Sequence, residues 1–123
     1  MTITEAITKT DTMKPNAYST NDKISWLSRL DGMVKRLIID VHEGADQVTF
    51  EPYHADTDTG TQLLVPEPFD EMYQRYLEAQ IDLANGEIAR YNNAIELFNT
   101  AFKAYSSYYT RTHMPKGTLL RFW

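Results

Sequence analysis

The stretch LEAQIDLANGEIARYNNAIELFNTAFKAYSSYY, Leu77 to Tyr109, decides how the rest of the chain is read. Its apolar residues recur at Leu77, Ile81, Ala84, Ile88, Tyr91, Ile95, Phe98, Phe102, Tyr105 and Tyr109, in steps that alternate four and three without a fault. Residues three and four apart fall on one side of a helix, so the pattern predicts an amphipathic helix packed along its length. Ala94, Ala101 and Tyr108 widen the stripe, while Glu87, Arg90, Asn92, Glu96, Asn99, Lys103 and Ser106 make a solvated side. Asn85-Gly86 is by local rules a helix stop, because Gly accepts the left-handed conformation that closes a C-terminus. The unbroken phase across it argues instead for one helix from near Phe69 to near Thr110, at a cost of about 1 kcal/mol for the interior Gly. Such a helix would be about 60 Å long, and its ends would need a partner chain.

A chain of 123 residues is one domain by size, with 42% hydrophobic residues and no apolar run long enough to span a membrane. The start, MTITEAITKT, has neither a basic nor an apolar segment of the kind a secretory signal needs, so a cytosolic site of synthesis is the default expectation. With zero Cys, disulfides and thiolate metal sites are excluded. The net charge of −5 is unevenly spread. Glu43 to Glu87 holds eleven acids against Arg75 alone, −10, which leaves +5 for the remainder. A general nucleic-acid binder would show a basic stripe instead. The split fits a chain in which one part of a copy faces the opposite part of another, or simply a solvated acidic loop.

Upstream, Thr2 to Met13 reads as a short helix capped by Thr2 or Thr4, with Ile3, Ala6 and Ile7 as its apolar side and Lys14-Pro15-Asn16 as its end. An arm over 1–15 that orders only against a neighbour is the alternative. Ser19 is a good N-cap, and Leu27, Leu30, Val34, Leu37 and Val41, with Ile24 and Ile38 beside them, predict a second helix that ends near His42 and Gly44. From 43 to 68 the period changes. QVTFEPY and TQLLVP read as two short strands around HADTDTG, a small β-hairpin or extended loop whose prolines confine it to an edge. The tail, 111–123, ends in TLLRFW and should dock on its own core or on another chain. The whole predicts a mainly α fold: a small helical bundle with one long C-terminal helix.

Chemistry is sparse in this pattern. His42, His54 and His113 share no metal-ligand spacing. Asp56-Thr57-Asp58-Thr59-Gly60 echoes a calcium loop, but Thr61 stands where the Gly is required, so a turn is the better reading. No nucleophile elbow, phosphate-binding loop or carboxylate dyad stands out, and neither an enzyme nor a cofactor is expected. Asn92 and Asn93, poor helix formers beside Arg90 and Tyr91, point to hydrogen bonding beyond solvent, against the alternative of a merely polar face.

The segment LLVPEPFDEMYQRYLEAQIDLANGEIARYNNAIELFNTAFKAYSSYYTRTHMPKG resembles the small helical head-tail connectors, also called head completion or adaptor proteins, of tailed bacteriophages and prophages. KPNAYSTNDKISWLSRLDGMVKRLIIDVHEG is similar to the same family, so the likeness runs from Met13 to Gly117, with RYNN at Arg90–Asn93 and THMPKG at Thr112–Gly117 its most recognisable pieces. The resemblance implies a virion neck protein, assembled in the host cytoplasm. It would form a ring, usually dodecameric, between portal and tail that continues the DNA channel without reading sequence. The expected partners are other copies of the chain, the portal protein and a tail-side completion protein. The family has no active site to carry over. Arg90, Asn92, Asn93, Arg111, His113 and Lys116, with the apolar Leu119, Leu120, Phe122 and Trp123, are the candidate interface. Asp56, Asp58, Glu67, Asp70 and Glu71 are the acidic surface expected to face it. The alternative is a prophage DNA-binding regulator, which should show a short helix-turn-helix with a basic recognition helix.

Overall fold

The computed structural model describes residues 1–116. It is mainly helical. Four α-helices are present in the described residues: α1 (Ile3–Met13), α2 (Thr20–Val34), α3 (Glu71–Ala84) and α4 (Ile88–Thr112). Thr2 caps α1 in a full capping box: its hydroxyl accepts from the Glu5 amide at 3.1 Å and its amide donates to the Glu5 carboxylate at 3.1 Å. Ile3, Ala6 and Ile7 are buried, so the N-terminal segment is a helix built into the core and no loose arm. Ser19 caps α2 through the Asp22 amide, as its sequence predicts.

The long helix expected from Phe69 to Thr110 is two helices. Gly86 stands at φ +76°, the Gly86 amide donates to Leu83 O at 3.0 Å and the Glu87 amide to Asp82 O at 3.0 Å. Those two bonds are a Schellman closure, and the chain reverses through it into a helical hairpin. The stripe kept its phase because the facing sides of two antiparallel helices are both interior. Periodicity reports which side is buried and is blind to chain direction. Leu77 and Ile81 on α3 and Phe98, Tyr105 and Tyr109 on α4 are buried as the stripe requires, with Tyr91, Ile95 and Phe102 half-buried, while Ile88 at the turn is exposed. α3 is the central helix. It packs on α1, α2 and α4 at once, which is why Met72, Tyr73, Tyr76 and Ala79, outside the stripe, are also buried.

The second helix does not continue to His42 in α-helical phase. Lys35–Ile39 is a π-helical turn, with the Asp40 amide donating five residues back to Lys35 O at 2.8 Å. The extra residue per turn advances the inward side, so Ile38 and Ile39 are buried while Leu37 is 57% exposed. Val41, expected in the same apolar row, lies past the turn and is 48% exposed. Gly44, at φ +86°, follows in the left-handed conformation before a short 3₁₀ turn, Ala45–Gln47.

No strand forms between 43 and 68, and the predicted hairpin is an extended loop. The two runs never pair with each other. Instead Gln62 bridges Thr2, the Leu63 amide donates to Met1 O at 2.9 Å, and the Ile3 amide to Thr61 O at 3.1 Å. Pro52, Pro66 and Pro68 lack amide donors, and the amides of Tyr53, Leu64 and Val65 are taken by side chains of α2 and α3. Backbone groups already satisfied elsewhere have nothing left for a ladder.

Candidate interaction surface and the buried carboxylate behind it

Asp31 faces inward from α2 and is fully buried. Tyr53 donates its hydroxyl to Asp31 Oδ2 at 2.5 Å, the Leu64 amide donates to the same oxygen at 3.1 Å, and Tyr73 donates to Oδ1 at 2.6 Å. Tyr73 Oη in turn accepts from the Val65 amide at 2.8 Å. One carboxylate thus joins α2, α3 and both arms of the 45–70 loop. Burial raises the Asp31 pKa above the usual carboxylate range, against the pull of the two phenol bonds and the Leu64 amide. Burial first, and then the Asp31 charge, pushes the Tyr53 and Tyr73 phenols up as well. The group is enclosed and its near lone pairs are occupied, so it acts as a clamp and has no access for a substrate. Its signal was legible: in Leu27, Asp31, Val34, Ile38 the acid stands in the apolar row of a helix, where an acid must find partners.

Two further ion pairs set the helices against one another. Lys14 Nζ lies 2.7 Å from both oxygens of the buried Asp82, and the buried Lys23 is 2.7 Å from Asp11 Oδ1. Tyr18 donates to Asn85 Oδ1 at 2.6 Å, so the 14–18 connection is held to the α3–α4 turn. At the opposite end of α4, Phe69, Tyr105, Tyr108 and Tyr109 form an aromatic group, and burial with the neighbouring phenols of Tyr109 and Tyr108 pushes Tyr105 up to about 12. His42 is buried there, its Nδ1 donating to Ile38 O and its Nε2 accepting from Thr110 Oγ1 at 3.2 Å, edge-on to Tyr109.

The predicted interface residues do not form one patch. Arg90, Asn92 and Asn93 are exposed in the first two turns of α4, where Arg90 pairs with Glu87 at 3.1 Å. Neither asparagine has a hydrogen-bonding side-chain partner among the described residues, which leaves their surface free. Arg111 and Lys116 are exposed about 30 Å away by helix rise, at or beyond the far end. His113 is half-buried, its ring stacked on Tyr109 with centroids 3.8 Å apart and 3° between planes. Leu119, Leu120, Phe122 and Trp123 lie outside the described residues.

The acidic residues are brought together. The Met1 amino group donates to Gln62 Oε1 at 3.3 Å and lies 3.6 Å from Asp70 Oδ2, and the Thr4 amide donates to Thr59 O. These links gather the loop carrying Asp56 and Asp58 and the start of α3, with Glu67, Asp70 and Glu71, around the first turn of α1. Asp56, Asp58, Glu67 and Glu71 are exposed there; Glu71 also pairs with Arg75 at 2.8 Å. Asp58 Oδ1 accepts from the Gly60 amide, which makes the calcium-like string a turn stabilised by its own side chain. Among the described residues no three His, Asp or Glu side chains converge as a metal site would need. A cleft of about 530 Å³ between the loop arms is lined by Glu51, Tyr53, His54 and Gln62. No helix of the described residues is long and apolar enough to cross a membrane.

Comparisons with family models, with curated proteins and with solved structures give no match for this chain. The reading of function therefore rests on the residues and their placement.

Proposed function

We propose that this chain is a structural assembly subunit of the head-tail connector kind, which works by joining copies of itself in a ring beneath a portal, with no catalytic step. The observation that carries the reading is the separation of charge onto different elements. The outward side of α4, exposed for most of its 25 residues, carries Arg90, Lys103 and Arg111 against Glu96. The exposed acids Asp56, Asp58, Glu67 and Glu71 belong to the loop and to the start of α3. Cations strung along α4 and acids gathered on the loop and the start of α3 are two different surfaces of opposite sign, which favour a heterologous, head-to-tail contact, and such a contact closes a ring when its rotation divides the circle. Complementary charge would fix orientation and speed encounter, while exposed apolar positions such as Leu97, 52% exposed, supply contact area. The likeness of Met13–Gly117 to the connector family supports the same reading. A DNA-binding regulator fits less well, because α4 is long and its cations are spread over its length.

The test pairs two variants. Arg90→Glu/Lys103→Glu/Arg111→Glu and Asp56→Lys/Asp58→Lys/Glu67→Lys are each expected to lose ring formation on a purified portal at low salt, viewed by negative-stain microscopy. An equal mixture is expected to regain it, since each reversed patch then meets its reversed complement. Rings from either variant alone, or no association of the unmodified protein with a portal, would reject the proposal.

A further inference from the structure

Only three of the 25 residues of α4, Phe98, Tyr105 and Tyr109, are buried, all turned to the core. The opposite side has no cover among the described residues, and its pattern is more ordered than a solvated side requires. Arg90, Asn93, Leu97, Thr100, Ala104 and Tyr108 follow one another in steps of three and four, so they make one stripe, and all are exposed. Near its middle Thr100, Ala101 and Ala104 are small enough to let a second backbone come close, while Leu97, 52% exposed, is large enough to fill the space between such residues. Glu96 and Lys103, two turns apart, flank the stripe on one side and have no ion-pair partner among the described residues. Arg90 and Tyr108 lie towards its other flank.

This stripe complements a second copy of itself run in the opposite direction. With the crossing centred between Asn99 and Thr100, Glu96 of one copy stands level with Lys103 of the other, and the two-fold axis makes the pair twice. Within one residue, Arg90 comes level with Tyr108, a cation beside an aromatic ring, Asn93 with Ser107, and Glu87 with Arg111. In an antiparallel pair each flank meets the same flank of the partner helix, which suits Glu96 with Lys103 on one side and Arg90 with Tyr108 on the other. A parallel pairing in register would set every one of these groups against its own kind. We propose that the outward side of α4 docks on the same side of a second copy, antiparallel, about a two-fold axis beside Thr100. Exposed ion pairs add little affinity and serve here to fix direction and register. Adhesion comes from Leu97 seated among Thr100, Ala101 and Ala104 of the other copy, once on each side of the axis. The pair goes beyond the ring reading and occupies the same cations, so a subunit held in it cannot make the ring contact through α4 at the same time.

Sedimentation equilibrium of the full chain at low salt is expected to show a monomer–dimer equilibrium below about 1 mM. Glu96→Lys and Lys103→Glu each set like charges together twice, on exposed positions that spare the core, and each is expected to weaken the dimer about tenfold or more. An equal mixture of the two variants, and the double exchange Glu96→Lys/Lys103→Glu, are both expected to recover it, since every charge then meets its opposite. The chain has no cysteine, so Thr100→Cys, beside the axis, should form a disulfide between copies on mild oxidation. Asn93→Cys, about 20 Å from its counterpart by helix rise, should not. The proposal is overturned by a monomer throughout, by an oligomer other than a dimer, by single variants that associate like the unmodified chain, by no recovery in the mixture and the double exchange, or by equal cross-linking at both cysteines. None of these measurements involves a portal, so their failure leaves the ring reading untouched.

Discussion

Asp31 shows what one residue decides here. It satisfies three donors, two on the 45–70 loop and one on α3, and each donor left unpaired in a buried site costs roughly 1–3 kcal/mol. Asp31→Ala should therefore destabilise the protein by about 3 kcal/mol or more in urea melts, while Asp31→Asn, which keeps an acceptor of the same shape, should cost less. Sign follows from the raised pKa. The folded state holds the proton more tightly than the unfolded chain, so the Asp31 contribution is fully present below the unfolded value, about 4, and is lost as pH rises through the folded one. Urea midpoints taken from pH 4 to 8 should show Asp31→Asn gaining on the unmodified protein as pH rises. A constant difference would mean that Asp31 titrates alike in both states.

Among elements, the α3–α4 turn is the most informative. Gly86 needs φ +76°, and a Cβ there would meet no neighbour, so the cost of adding one is the backbone conformation alone. Gly86→Ala should lower stability by about 1–2 kcal/mol, and Gly86→Asn by less, both read from chemical denaturation. A stabilising Gly86→Ala would mean that the chain prefers one long helix after all. The apolar row that predicted this region placed Leu77, Ile81, Phe98, Tyr105 and Tyr109 correctly, but Ala84 and Ile88, beside the turn, are exposed. It missed the reversal because a three-residue closure from Asn85 to Glu87 keeps both stripes inward. The reversed error occurs at Lys35–Ile39, where the row was right up to Val34 and a single π turn exchanged Leu37 for Ile39.

At the scale of the molecule, the bundle is held by α3 in the middle and by cross-links at each end. Lys14 and Asp82 are 68 positions apart, and Asp82 is 2% exposed while Lys14 keeps 28% of its side chain in solvent. Lys14→Met would strand a buried carboxylate and should cost about 2–3 kcal/mol, less than for a fully buried pair. Lys14→Met/Asp82→Leu should recover most of it. If the single variant melts like the unmodified protein, the pair is a surface contact and the α1 connection is anchored elsewhere.

Helix class, caps and the buried sides of α1, α2 and α4 could be read from the chain alone, because they depend on spacing and on hydrogen bonds made within a few residues: Thr2 with Glu5, Ser19 with Asp22, the four-three row from Leu77 to Tyr109. The split of charge was equally legible, since it is a property of the list of residues. Tertiary structure decided the direction of the chain at Gly86, the side that Leu37 faces, and the fate of the 45–70 loop. Two runs with strand-like alternation became irregular because Asp31, Ser28 and Tyr73, distant in sequence, claimed their amides first. A local pattern states what a segment can pair with, and only the folded neighbours determine which partner it meets.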